Sequence, residues 1–365
     1  MFDTLSFHAQ VLIRFLKIIT RKNFLFDPVI SEFEKKLARF LDLPYALGVA
    51  SGTDALILSL KALGIGPSDE VIVPAFSFFS TAGVVLWINA KPVFVDVELE
   101  SLNINPRLIE GAITPKTKAI IVAHFNGRMA DMEAICAVAK KHKLFVIEDA
   151  AQAIGSKYKN KPIGHYGDVA CLSFNPMKLL GGYGDGGAVV THSRDIAEKI
   201  SLMRTYGARH GEFGNRHPIV GVSSRLSAFQ AAVLSLKIEH MDGILKRARR
   251  SYFLFVEYMK AIQGVKTPDN PSPDYFVNGN RSIVLTSRRD ALLEHLRGAG
   301  VRIRRPYAVP LPYLEAFLPL GYKRGNFPVA EKISEEIIVL PDSTFASKSE
   351  VQRIAKLIKD FFHNN

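Results

Sequence analysis

The segment SFNPMKLLGGYGDGGAVVT (residues 173–191) holds one lysine between an apolar run and a glycine-rich loop. The run DVACLSF, which ends shortly before Lys178, is typical of a buried strand. A lysine in an apolar, partly desolvated site has a lowered pKa and can react as an amine nucleophile. The segment differs from a P-loop, in which glycine precedes the lysine, because Pro176 and Met177 stand before it here. Lys178 is therefore a candidate reactive amine at the end of a strand.

An acid ends a second apolar run. Asp149 closes the strand pattern KLFVIEDA, where an unpaired carboxylate would cost several kcal/mol. We therefore expect a cationic partner, which is either the protonated pyridine nitrogen of a cofactor or a buried arginine. Gln152, three residues later, is placed to hydrogen-bond in the same cavity. Glu148 alternates to the opposite face of the strand and is expected to be structural.

A hydroxyl–glycine–hydroxyl turn joins the strand pattern YALGVA to the helical pattern DALILSL. Such a turn at a helix N-terminus offers unpaired N–H groups to a phosphate, and Gly52 allows close approach of the backbone. The alternative is an ordinary N-cap by Ser51 or Thr53.

An aromatic residue follows another strand pattern, in PAFSFFST. The ring of Phe78 is placed either to stack on a planar cofactor or to pack as a core phenylalanine. A phosphate site, a stacking ring, an acid and a lysine, in this chain order, suit pyridoxal phosphate. Ser173, at the end of the strand before the lysine, is a further candidate for this site.

Strand and helix patterns alternate through the first half of the chain, and these elements must position the candidates. The predicted strands cover residues 69–76, 91–97, 118–125, 143–150, 168–174 and 186–191, with helical patterns at 53–64 and 132–143. This alternation predicts an α/β fold with a mostly parallel central sheet and helices on both faces. Ligands of such sheets bind at the carboxyl ends of the strands, where the candidate residues fall.

Three units are expected along the chain. Residues 1–24 form an N-terminal helical arm, residues 25–245 a large α/β domain, and residues 246–365 a smaller C-terminal α+β domain. A long helical stretch over residues 226–258 crosses the boundary between the last two.

The overall composition is that of a folded chain with a basic excess. The 365 residues carry a formal net charge of +12, with short basic runs at 246–250 and 302–305. The basic residues are scattered, which favours a solvated face over nucleic-acid binding. The two cysteines, Cys136 and Cys171, lie in apolar runs and indicate neither a disulfide nor a metal site. We expect a soluble, cytoplasmic protein that has no membrane span and binds no metal.

Several motifs occur together and in order: SGTDAL, GPSDEVIVPAFSFFST, KPVFVDV, VIEDAAQAIGSKY, SFNPMK with GDGGA, and SRLSAFQAAVLSLK. With them the chain resembles the StrS/DegT-type sugar aminotransferases, a group of the fold-type I pyridoxal phosphate enzymes. The resemblance extends over nearly the whole chain.

The resemblance implies a role for each candidate. Lys178 would form the Schiff base with the cofactor and move protons, Asp149 would pair with the pyridine nitrogen, and Gln152 would lie near the ring hydroxyl. Phe78 would stack on the ring. The residues implied in phosphate binding are Gly52, Thr53, Ser173 and, from the neighbouring subunit, Ser223.

The resemblance also implies a homodimer whose active sites take residues from both subunits. The segment GVSSRL (221–226) and His217 would reach the neighbour's site. The implied substrate-binding residues are Asn175, Tyr183, His217, Arg225, Tyr307 and Tyr313. The family more often has an aromatic residue or histidine at position 175, asparagine at 223, and histidine at 312, where this chain has Pro312.

The implied reaction transfers an amino group from L-glutamate to a keto-sugar linked to a nucleoside diphosphate. The loop LGGYGDGGA resembles members that act at carbon 3. This indicates a UDP-linked 3-keto-N-acetyl sugar or a dTDP-linked 3-keto-6-deoxy sugar, destined for cell-surface polysaccharide, lipid A or a glycoside. A sugar 3-dehydratase is disfavoured, because those relatives have histidine in place of the lysine. An aminotransferase for a cyclitol or other cyclic ketone, and a cofactor-binding regulator or nucleic-acid binder, are the alternatives.

Overall fold

A computed structural model describes residues 4–209, 214–268, 272–303, 307–340 and 346–363. The protein is built around a seven-stranded sheet with the order β1-β9-β8-β5-β4-β2-β3. The predicted α/β class is confirmed. The strands are β1 (Tyr45–Val49), β2 (Glu70–Pro74), β3 (Lys91–Val95), β4 (Thr117–Ala123), β5 (Phe145–Asp149), β6 (Lys157–Tyr158), β7 (Lys161–Pro162), β8 (Val169–Ser173), β9 (Gly187–Thr191), β10 (Tyr275–Phe276), β11 (Ile283–Leu285) and β12 (Ile337–Val339).

One strand of this sheet is reversed. β9 runs antiparallel to both of its neighbours, β1 and β8, whereas the other neighbouring pairs are parallel. The carboxyl ends of β1, β2, β4, β5 and β8 therefore lie at the same edge of the sheet. The turns that follow these strands meet there, as expected for a ligand site of an α/β sheet.

Helices cover both faces of the sheet. The strand residues alternate between two apolar clusters: Ile120 and Val122 face one of them, while Ala119 and Ile121 face the other. The α-helices are α1 (Thr4–Arg21), α2 (Pro28–Leu41), α3 (Gly52–Ala62), α4 (Phe79–Trp87), α5 (Pro106–Ile109), α6 (Met132–His142), α7 (Arg194–Met203), α8 (Ala228–Ile238), α9 (Met241–Lys260), α10 (Arg289–Gly298), α11 (Pro328–Glu336) and α12 (Lys348–His363). α2, α6 and α8 pack on the first face, and α3, α4 and α7 on the second.

The expected long helical stretch over residues 226–258 consists of two helices. α8 ends at Ile238 and α9 begins at Met241, and the His240 N–H closes a tight turn by donating to the Lys237 carbonyl at 3.0 Å. α9 then continues through residue 245 without a break. The division into units 1–24, 25–245 and 246–365 stays a prediction.

The C-terminal part carries a two-stranded antiparallel sheet, β11 with β12, beside α10 and α12. Asp96, just after β3, connects this part to the central sheet. Its carboxylate accepts hydrogen bonds from the N–H groups of Val329 and Ala330 in the first turn of α11, both at 2.9 Å. A third bond comes from Val97 N–H at 2.9 Å. Since α11 leads directly into β12, Asp96 caps the helix that positions this strand.

Among the described residues, no helix combines the length and the apolar character that a membrane span needs.

Replacing Asp96 by alanine is expected to lower the free energy of unfolding by about 2 kcal/mol, because three backbone N–H groups lose their acceptor. Asp69→Ala is the matched control, since the Asp69 carboxylate accepts from one backbone N–H, that of Gly66. Urea denaturation of both variants measures the difference. A loss in Asp96→Ala no larger than that in the control would contradict the capping role.

Candidate active site

Lys178 lies on a cavity of about 150 Å³ at the carboxyl edge of the sheet. The turn that carries it is closed by the Lys178 N–H, which donates to the Asn175 carbonyl at 2.9 Å. Burial lowers the pKa of the Lys178 amine from its usual range; the charge of Asp149 opposes this shift and the charge of Arg281 adds to it. The site therefore favours the neutral, nucleophilic form of the amine.

Asp149 ends β5 with its side chain only 7% exposed. Its Oδ2 accepts a hydrogen bond from Thr81 Oγ1 at 2.7 Å, and its Oδ1 accepts one from Ala151 N–H at 3.3 Å. Ser77 Oγ lies 2.8 Å from Thr81 Oγ1, and Ser77 must be the donor because Thr81 gives its proton to the carboxylate. Within the described residues, no arginine or lysine forms an ion pair with Asp149, so the buried arginine considered as its partner is not found there.

The turn after β1 packs directly against the end of β8. A Cβ on Gly52 would lie 2.7 Å from the Cβ of Ser173, so a larger residue here would displace that serine. Ser51 caps α3, since its hydroxyl accepts the Asp54 N–H at 3.0 Å. The N–H groups of Gly52 and Thr53 make no hydrogen bond with the described residues. This helix start is therefore both an ordinary N-cap and an open anion site beside the Ser173 hydroxyl.

A larger cleft of about 620 Å³ adjoins the cavity of Lys178. Phe78, which is 57% exposed, lines both spaces, as does Tyr307. Tyr307 has a φ of 59°, a left-handed conformation that costs a non-glycine residue free energy and often marks a functional site. Its ring packs edge-on against Phe125 at 5.1 Å between ring centroids. The rings of Phe78 and Tyr307 thus form walls that the cavity and the cleft share.

Gln152 belongs to a hydrogen-bond network on the wall of the cavity. Its Oε1 accepts the Asn126 N–H at 3.1 Å and lies 3.5 Å from the Asn280 amide nitrogen. Burial raises the pKa of the nearby Tyr307 hydroxyl, and the side chain of Gln152 acts against this shift. The side chain of Gln152 is therefore held in place at the cavity, although its predicted role near a ring hydroxyl stays a prediction.

Of the six predicted substrate-binding residues, Tyr307 lines both spaces and the other five line neither. Both ends of the Asn175 amide are bonded within its own loop, to Met177 N–H and to Asp185. Tyr183 stacks on His8 with 6.3 Å between ring centroids. The Tyr313 hydroxyl donates to Glu331 at 2.6 Å, and burial followed by this bond raises the pKa of Tyr313 to about 12. Their contacts with a substrate stay predictions.

The segment predicted to reach a neighbouring subunit is partly exposed: Val222 and Ser223 face solvent, whereas Ser224 and Leu226 are buried. Arg225 donates to Ser223 Oγ at 2.8 Å, and neither side chain lines the cavity or the cleft of its own chain. His217 is exposed and bonds the Tyr206 carbonyl at 2.8 Å.

Two site residues, Thr81 and Arg281, were missed from the sequence. Ser77 and Thr81 stand four residues apart around a helix start, and this spacing on one helix face was the available signal for a shared hydroxyl pair. Arg281 lines both the cavity and the cleft, but it follows an irregular segment, VNGN, that gives no indication of its position.

The arrangement fits pyridoxal phosphate. The open helix start at Gly52 and Thr53, with the Ser173 hydroxyl, matches a phosphate group, and the buried Asp149 carboxylate without a protein cation matches a pyridinium nitrogen. Lys178 would supply the amine for the aldehyde. Among the described residues no cluster of three or more histidines, cysteines or acids is placed to hold a metal ion.

Comparison with known proteins gives a consistent result. The model of the DegT/DnrJ/EryC1/StrS aminotransferase family matches residues 9–359. A relative from Geobacillus stearothermophilus named as a pleiotropic regulatory protein is 38% identical, over 95% of this chain and 93% of its own. A UDP-N-acetyl-3-dehydro-α-D-glucosamine 3-aminotransferase from Acidithiobacillus ferrooxidans is 37% identical, over 95% of this chain and 92% of its own.

A solved structure is similarly close. The crystal structure of DesV from S. venezuelae, in complex with a ketimine intermediate, superposes with a TM-score of 0.93 at 34% sequence identity. The match covers 98% of this chain and 95% of that one.

Replacing Lys178 by methionine is expected to raise the free energy of unfolding of the cofactor-free protein at pH 7 by about 1 kcal/mol, because a partly buried charge is removed. The pKa of Lys178 in the folded protein lies below its value in the unfolded chain. At pH values between these two pKa values the unfolded chain binds more protons, so the stability of the wild type rises with pH. The advantage of the variant therefore shrinks as the pH rises through that interval.

Denaturant titrations at several pH values measure this effect, with the exposed Lys118→Met as the control. A Lys178→Met protein that is no more stable than wild type at pH 7, or whose advantage grows with pH, would contradict the assignment of a destabilised ammonium.

Proposed function

The chain belongs to the DegT/DnrJ/EryC1/StrS aminotransferase family and is a pyridoxal phosphate-dependent aminotransferase, and we propose that it aminates a keto-sugar linked to a nucleoside diphosphate. L-Glutamate is the proposed amino donor. The observation that carries the proposal is that a desolvated amine, Lys178, lies within the electrostatic reach of Asp149, a buried carboxylate that forms no ion pair with the described residues.

Pyridoxal phosphate supplies an aldehyde and an electron-withdrawing ring that stabilises negative charge at the reacting carbon. In the proposal Asp149 holds the proton on the ring nitrogen, and Thr81 keeps the carboxylate oriented toward it. Gly52, Thr53 and Ser173 bind the phosphate, and Phe78 lies against the ring. These residues position the cofactor without taking part in proton transfer.

Lys178 is the proposed general base and acid. With the cofactor bound, the neutral Lys178 amine would accept the proton from the Cα of the amino donor and later give a proton back, so that it would serve first as base and then as acid. The second half of the reaction runs in reverse order with the keto-sugar, and Lys178 delivers the proton to the sugar carbon that gains the amine. The lowered pKa of this lysine favours the neutral amine that proton abstraction needs.

The proposed position of amination is carbon 3. The Acidithiobacillus ferrooxidans relative is named for that position, and the loop LGGYGDGGA supports the same choice. A UDP-linked 3-keto-N-acetyl sugar and a dTDP-linked 3-keto-6-deoxy sugar are the two candidate acceptors, with cell-surface polysaccharide, lipid A or a glycoside as the destination. The cleft of about 620 Å³ is large enough to admit a sugar beside the cavity of Lys178.

We propose that the active unit is a homodimer. Val220 and Val222, in the segment that carries Ser223 and Arg225, are 93% and 53% exposed, and α1 exposes a row of leucine and isoleucine side chains. Apolar surface of this kind favours a protein interface. A second copy seated there would bring Ser223, His217 and Arg225 to the neighbouring site.

Borohydride reduction of the loaded enzyme is expected to bleach its visible absorbance and to place the label on Lys178, as read by peptide mass spectrometry. Lys178→Ala should lose the label and lower turnover by about 10⁴-fold or more. Lys237 is the control, because burial also lowers the pKa of its amine. A label on Lys237, or on no lysine, would overturn the proposed role of Lys178.

The amine-loaded enzyme is then offered a panel of UDP- and dTDP-linked 3-keto and 4-keto sugars, together with a cyclic ketone that carries no nucleotide. We expect turnover with a 3-keto nucleotide sugar. Reaction with the free cyclic ketone alone would favour a cyclitol aminotransferase. Cofactor binding without turnover of any ketone would favour the regulatory function for which the Geobacillus relative is named.

Mixing two inactive variants tests the shared site. Lys178→Ala chains and Arg225→Ala chains, refolded together, are expected to recover about a quarter of wild-type activity, because half of the dimers are mixed and each mixed dimer regains one complete site. Sedimentation gives the oligomeric state. If the mixture stays as inactive as its components although mixed dimers form, the site does not take Arg225 from the partner.

A further inference from the structure

The cavity that holds Lys178 and the larger cleft share five lining residues: Phe78, Met177, Arg281, Tyr307 and Val339. Arg281 is the charged residue of this set. Its guanidinium therefore stands at the junction between the reacting amine and the space proposed for the sugar.

The backbone that carries Arg281 is fixed on both sides. The Arg281 carbonyl accepts the Asn126 amide at 2.6 Å, and the preceding residue, Asn280, donates its N–H to Asn278 Oδ1 at 3.0 Å. Ser282, the next residue, accepts the Leu340 N–H at 3.0 Å through its carbonyl. The side chain thus extends from a rigid base into the cavity.

Within the described part of the chain, no carboxylate forms an ion pair with the Arg281 guanidinium, and no acceptor forms a hydrogen bond with it. The residue is half-buried. Its positive charge contributes to lowering the pKa of the Lys178 amine and acts on the Tyr307 hydroxyl in the same direction, so its field reaches the reacting groups. A guanidinium in this position has lost part of its hydration without gaining a partner.

The cofactor phosphate is not the missing partner, because the open start of α3 and Ser173 serve that group. A planar carboxylate matches the two parallel N–H bonds that a guanidinium offers. We propose that Arg281 binds a substrate carboxylate at the junction of the cavity and the cleft. This inference rests on the proposed aminotransferase reaction.

Two sources supply such a carboxylate. One is the carboxylate attached to the reacting carbon of the amino donor, which enters the cavity of Lys178. The other is a carboxylate on the sugar ring of the acceptor, which enters from the cleft. Arg281 lines both the cavity and the cleft, so it could bind either carboxylate. The two can be distinguished because the donor reacts in the first half-reaction and the acceptor in the second.

The experiment compares wild type, Arg281→Gln, Arg281→Lys and the surface control Arg297→Gln in three single-turnover arms. These are loaded enzyme with L-glutamate, amine-loaded enzyme with a neutral 3-keto nucleotide sugar, and the same form with a sugar that carries a carboxylate. We expect Arg281→Gln to lose about 10²-fold in kcat/KM in a carboxylate arm and less than about threefold with the neutral sugar. Arg281→Lys should recover part of the loss, because it retains the charge but not the planar fork.

A binding arm needs no turnover. Glutarate, a dicarboxylate without an amine, is titrated by calorimetry into the loaded protein. Arg281→Gln should weaken its binding about tenfold or more, while Arg297→Gln leaves it unchanged.

Loss confined to glutamate identifies the donor carboxylate, and loss confined to the charged sugar identifies the acceptor carboxylate. Equal loss in all arms, or no loss in any arm together with unchanged glutarate binding, would overturn the inference. If wild type fails to react with glutamate or any sugar, the proposed function fails instead, and the glutarate titration still decides whether Arg281 recognises a carboxylate.

Discussion

The buried carboxylate of Asp149 is the feature on which the site depends. It ends the central strand of the sheet, accepts a hydrogen bond from Thr81, and remains without a protein cation among the described residues. A negative charge in such a place is costly unless a cation completes it. A protonated pyridine ring, the partner proposed for Asp149, would supply that cation, and the free energy of folding would then be linked to cofactor binding.

The charges around Lys178 act on its pKa in opposite directions. Lys178 must lose its proton to act as a nucleophile, and burial together with Arg281 drives it in that direction. The negative charge of Asp149 raises the pKa of Lys178. A protonated cofactor ring paired with Asp149 would neutralise that charge and would therefore let the pKa of Lys178 fall further. The pKa of Lys178 thus depends on which neighbouring charges are neutralised.

Much of the fold was predictable because parallel strands are buried on both faces and read as apolar runs. The strands that end at Asp149 and Ser173 were located within two residues, and Lys178 and Gln152 do line one cavity. Arg281 was not predictable, because its position depends on how the C-terminal part folds back over the sheet. Tyr183 and Tyr313 were predicted as substrate-binding residues. In the structure Tyr183 instead stacks on His8 and Tyr313 bonds Glu331, and these contacts depend on tertiary packing that the sequence does not reveal.

The reversed strand β9 has a consequence for the order of assembly. β1 pairs with no other strand of the sheet than β9, whereas β9 is the last strand of the sheet to leave the ribosome. The turn after β1, which carries Gly52, can therefore meet Ser173 only when β9 has been inserted between β1 and β8. With the proposed phosphate site at this turn, capture of the cofactor would require the complete sheet, and the free energy of that binding would stabilise the finished domain rather than any partly folded precursor.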